Sequence, residues 1–188
     1  MSALVYRIGD LLCRIVQSVP LGTNLGLFDL LWTILSGRLL GSRGAVIPAL
    51  AATGLEVAAV RRAWAALTYG QWQCAQLLQA WQQVVAGEGR FQAACYGGYR
   101  PVAVDLVGFF RPHLRGCASK HYCTTAGKAL PAIVLGLVAS VGTVEGQRVP
   151  LLRSVVRAEA GDTSEADLQR RLLRTAQASL GMDEALKL

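Results

Sequence analysis

Apolar residues recur at helical spacing through the first half of the chain and at strand spacing through the second. Over Ala3–Val19, residues Leu4, Ile8, Leu11, Leu12, Ile15 and Val19 fall on one face of a helix that Pro20-Leu-Gly ends. Asn24 is placed to cap a second helix through LGLFDLLWTILSG, with Gly37 as its stop. Glu56–Leu67 and Gln71–Ala86 predict two more helices, separated by Gly70 and followed by Gly87. The character changes near Gly97-Gly98. Pro101–Phe110, Ala132–Val141 and Arg148–Val156 then read as strands, the middle one so continuously apolar that it predicts cover on both faces. Pro150 pushes the third strand towards an edge or a strand start. The short, Gly-bounded link Gly142–Gly146 predicts a hairpin between the second and third strands. A final helix starts at the capping-box-like Ser164-Glu-Ala-Asp167, carries Leu168, Leu172, Ala176 and Leu180 on one face, and stops at Gly181.

This order predicts an α+β chain in two parts: a helical region over 1–97 and a strand-rich region over 98–188. Two apolar windows, Ile15–Gly37 and Ala129–Val144, raise the alternative of a small membrane protein. The first contains Pro20 and Asp29, and the second falls short of the ~20 residues a span needs. Arg7, Asp10 and Arg14 break the N-terminal apolar stretch, so it does not read as a signal peptide. The five cysteines are odd in number and scattered through 188 residues, a pattern of reduced thiols in a cytoplasmic protein.

Nineteen Lys and Arg against twelve Asp and Glu leave a formal charge of +7, which suits a phosphate-rich partner. The segment 46–66 offers a place for such contact. Counting from Val46, a helix-turn-helix wants a small or apolar residue at the fifth position, Gly at the ninth and apolar residues at the fifteenth and eighteenth; Leu50, Gly54, Val60 and Ala63 stand there. Arg61 and Arg62 then lie on the second helix, within reach of phosphate or base edges. An ordinary helical hairpin with solvated arginines fits the same residues. Trp64, Trp72 and Trp81 recur among Leu and Ala at helical spacing, which predicts helix packing rather than base stacking.

Asp105 stands among Val104, Leu106 and Val107 in the first strand. A carboxylate buried there needs a partner, and a hard cation such as Mg²⁺ is one solution. An ion pair with Arg111, or a solvated strand face, is the other. The following segment Arg111–Lys128 holds Arg111, Arg115, Lys120, His121 and Lys128 and no acidic residue, as a DNA backbone approaching that strand would require. His113, Cys117, His121 and Cys123 within eleven residues invite zinc, but H-x₃-C-x₃-H-x-C is a cramped spacing for one tetrahedral ion. Phosphate-binding loops, nucleophile elbows and H-E-x-x-H motifs are absent from the sequence.

The run GYRPVAVDLVGFFRPHLRGCASKHYCTTAGKALPAIVLGLVASVG, then GQRVPLLRSVVR, resembles the start of the catalytic domain of bacterial insertion-sequence DDE transposases; WTILSGRLLGSRGAVIPAL and RRAWAALTYGQW resemble the helical region before it. The resemblance implies an RNase H-like sheet in which two Asp and a Glu hold Mg²⁺ ions for attack on a DNA phosphodiester. It matches Asp105 to the first of these carboxylates and implies transposon-end DNA as partner. Asp183 and Glu184 fall at the lead-in to the strand that ends in the family's second Asp, so neither takes that role. The expectation is therefore the front portion of such an enzyme, able to bind DNA and unable to cut it alone, with a complementing fragment or a second copy as a further partner. A DNA-binding remnant without catalysis is the alternative.

Overall fold

The computed structural model describes residues 3–110, 119–158, 165–181 and 184–187, the last stretch by its backbone pairing. The fold is α+β. Two compact units divide the chain, Met1–Gly87 and Glu88–Leu188.

The first unit is helical: α1 Ala3–Val16, α2 Thr23–Leu35, α3 Arg38–Gly41, α4 Val46–Ala51, α5 Val57–Tyr69 and α6 Cys74–Glu88. One cluster joins Val16, Val19, Leu27 and Leu30, with Val46, Leu67, Trp72 and Leu77 packed against it; a second joins Ile15, Ala80 and Val84. The closest helix pair is α2 with α5. A Cβ built on Gly26 would lie 2.5 Å from Ala66 Cβ and 2.8 Å from the Arg62 carbonyl oxygen, so only glycine lets the two backbones meet this closely. Asn24 does not cap α2. The helix begins one residue earlier, after Gly22, and the Asn24 side chain instead accepts from the Gly22 and Leu25 N–H groups. No helix among the described residues is long and apolar enough to cross a membrane.

The second unit is a mixed sheet with one helix. Its strands are β1 Gln92–Ala93, β2 Arg100–Phe110, β3 Lys120–Cys123, β4 Lys128–Val144, β5 Gln147–Arg157 and β6 Glu184–Lys187, with α7 Glu165–Ala178 between the last two. Strand β4 lies between β5 and β2, antiparallel to both, and β6 runs parallel to β2 on its other side. The short β1 and β3 pair with opposite ends of β4. Because Gln92-Ala93 pairs with Thr143-Gly142, the sheet unit takes in residues upstream of Gly97-Gly98.

The β4–β5 hairpin turns on Glu145 and Gly146, both at positive φ (52° and 79°), as the two central residues of a type I′ turn must be. Pro150 sits in β5, whose pairing among the described residues is with β4, so its missing N–H interrupts no central ladder. Further along, Val138 pairs Ser154 while Ala139 pairs Leu152, leaving Arg153 as the extra residue of a bulge. Arg153 donates from Nε to Ser140 Oγ at 2.6 Å and from Nη1 to the Ser179 carbonyl just beyond α7, where the helix end favours a cation.

Strand alternation explains which face α7 covers. Val102, Val104 and Leu106 of β2, Ala132, Val134 and Val138 of β4 and Val156 of β5 meet Leu168, Leu172 and Ala176 of the helix. Gly136 lies under the seam: a Cβ there would come within 2.8 Å of Leu172 Cδ2. On the other face Ile133, Leu135 and Leu137 are only half-buried. The expectation of cover on both faces thus fails for the described residues of this unit, which bury one face of β4 fully.

Candidate nucleic-acid interface

Helix α4, the bend at Ala52–Glu56 and helix α5 occupy the segment read as a helix-turn-helix. Gly54 adopts φ +83° at the bend, a left-handed conformation that side-chain-bearing residues resist. Leu50 and Ala63 are fully buried, and Ala63 and Ala66 pack beneath Gly26 of α2. The inward stripe Ala59, Ala63 and Ala66 is small, and this lets α5 lie close on its support.

The opposite side of α5 is open. Val57, Ala58, Arg61, Trp64, Ala65 and Thr68 are exposed there, while the exposed Arg62 lies at the edge towards α2, its carbonyl facing Gly26. Arg61 borders a groove of about 420 Å³ shared with Ile47, Leu55, Val57, Val60 and Trp64. Trp64 is thus a surface residue, 41% exposed, and corrects the expectation of a packed tryptophan; Trp81 is similar at 39%. Trp72 does pack inside, its Nε1 donating to the Ala66 carbonyl at 3.0 Å. Arg62 faces a different environment from Arg61. Burial raises the Asp29 carboxyl above its ordinary 3.8, and the positive charge of Arg62 acts against that rise. Arg62 thus lies near enough to Asp29 of α2 for its charge to favour the ionised carboxylate.

In the sheet unit the candidates separate. Asp105 sits at the middle of β2 opposite Leu137 of β4, but its side chain is exposed. It needs no buried partner; its Oδ1 accepts from the Leu106 N–H at 2.8 Å. Alternation puts Asp105 on the face away from α7. Lys120 shares that face through its partner Pro131, yet lies six β4 residues from Leu137, about 20 Å along the strand. His121 and Lys128 point to the α7 face with Leu130 and Cys123.

His121 is also engaged. Its Nδ1 lies 2.5 Å from Glu165 Oε1 at the first turn of α7, its ring stands 6.0 Å from that of Phe110, and it closes over Gly108, where a Cβ would overlap the imidazole. His121 ties β3 to the first turn of α7 through this contact. Arg111, Arg115, His113 and Cys117 lie outside the described residues. The basic residue overlooked in the sequence is Arg157. It pairs with Leu135, two residues along β4 from the Leu137–Asp105 pair, and so shares the Asp105 face. The Arg153 bulge puts it there: counted from the turn without that extra residue, Arg157 would fall opposite Val134 on the α7 face.

Among the described residues no group of three or more His, Cys, Asp or Glu side chains is gathered to hold a metal ion. The four described cysteines are free thiols. Comparison with family models, with curated proteins and with solved structures returns no match.

Proposed function

We propose that this chain is a DNA-binding protein that engages the duplex through α4 and α5, with α5 as the helix entering the major groove. The observation that carries the reading is the build of that segment: a glycine-set bend, Leu50 and Ala63 fully buried, an outer face offering Arg61, and Arg62 exposed at its edge. Residues 1–87 hold six arginines against three acidic residues, a balance favourable to a polyanion.

The sheet unit supports, as the finer part of the proposal, an RNase H-like reading of the DDE transposase type. Three antiparallel strands with a carboxylate at the middle of the first, a helix, and a further strand starting beside that first strand follow the expected order. Asp105 is then the first metal-binding carboxylate, and transposon-end DNA the partner. DNA binding without cleavage by these residues alone is the activity proposed, because a single exposed carboxylate cannot assemble the metal pair.

Fluorescence anisotropy of the full chain on a labelled duplex tests this. Affinity is expected to fall steeply between 50 and 200 mM salt, as counterion release requires. Arg61→Ala is expected to weaken binding about tenfold and to reduce the salt slope by about one; Arg62→Ala is expected to do less, since Arg62 lies towards α2, near Asp29. Salt-independent binding, or an Arg61→Ala variant equal to wild type, would overturn the proposal.

A further inference from the structure

We infer that α5 reads thymine-bearing base pairs, recognising their 5-methyl groups through an apolar first turn flanked by one arginine. The inference rests on the DNA-binding reading above and specifies the sequence class bound. The first turns of a recognition helix are the part that meets base edges. In α5 these positions are Val57, 67% exposed, exposed Ala58, and Arg61. Ile47 and Trp64 continue the same surface across the groove, at 50% and 41% exposure. Apart from arginine, none of these side chains except the indole N–H of Trp64 can donate or accept a hydrogen bond. In the major groove the standard bases offer one apolar feature, the thymine methyl. An apolar first turn therefore has one class of base to prefer, and Arg61 beside it suits the O6/N7 edge of guanine or a phosphate. Glu56, immediately before α5, is the one acidic residue of 46–69 and disfavours placing a phosphate at the helix start, which leaves that end to the bases.

Two steps test this. Duplexes retained by the full chain from a randomised 20-base-pair pool are sequenced, and a retained duplex is then remade with deoxyuridine in place of thymidine. The expected result is at least one fixed A·T pair and a loss of affinity of about fourfold for each contacted methyl removed. Val57→Ser, at an exposed position where folding is not at stake, is expected to bind the two duplexes equally. Equal affinity of the wild type for both, with salt-sensitive binding intact, would overturn this inference and leave the DNA-binding reading standing; so would selection of G·C positions alone, or of no fixed base. Retention of no duplex at all would overturn both.

Discussion

Replacing Leu172 with alanine is expected to lower the stability of the sheet unit by about 3 kcal/mol, within the range for emptying a fully buried leucine site. Leu172 is completely buried, and its methyl groups rest on the backbone of β4 at Gly136 while touching Val102 and Val138. Helix α7 is the described helix holding this sheet, so the cavity opens in the middle of its one covered face. The pair with Gly136 sharpens the expectation. Gly136→Ala alone is destabilising, because the new Cβ meets Leu172 at 2.8 Å, yet in the Leu172→Ala background the same methyl enters vacated space. A double-mutant cycle should therefore show a favourable coupling of about 1 kcal/mol or more, read from hydrogen exchange of the β2 and β4 amides. Additive effects would show that α7 does not sit on Gly136.

Gly26→Val should have an effect of similar size in the helical unit, and for a reason opposite to helix propensity. A glycine inside a helix costs up to about 1 kcal/mol relative to alanine, so propensity alone favours the substitution. Packing decides otherwise. The added Cβ would meet Ala66 Cβ at 2.5 Å and the Arg62 carbonyl at 2.8 Å, and a backbone atom cannot swing aside as a long side chain can. The expected cost is about 3 kcal/mol, at the upper end for overpacking, because relief requires lifting α5 off α2. Duplex affinity should fall with it, since α5 carries Arg61. Gly9→Ala on α1 is the control: nothing lies within 4 Å of its Cβ, so a small gain of about 0.5–1 kcal/mol is expected. Guanidinium titration of the two variants checks both signs.

The parts of this fold legible in the sequence are those set by local periodicity and turn chemistry. The stripe Leu168, Leu172, Ala176 and Leu180 predicts the buried face of α7; the first three are 1% exposed or less, and Leu180, beyond the helix end, is half-buried. The Gly-bounded link predicts the hairpin, and Gly54 the bend between α4 and α5. What escaped depends on register and distance. Lys120–Cys123 has no apolar alternation to announce a strand, and becomes one by pairing with the far end of β4. The run from Ala132 to Val141 is apolar at nearly every position, so its two faces look alike until α7 is seen to cover one. His121 meets a carboxylate 44 residues away, a contact no local pattern reports. Asp105 was found by its contrast with valine and leucine neighbours, but whether it lay inside or outside the core turned on which face α7 chose.

Hydrogen–deuterium exchange of the full chain with and without a duplex tests the DNA-binding surface most directly. Added DNA should slow exchange in peptides spanning 46–69 more than in any other part of the helical unit, with the Arg61→Ala variant losing most of that protection. Unchanged exchange across 46–69 under conditions where the duplex is bound would contradict the account.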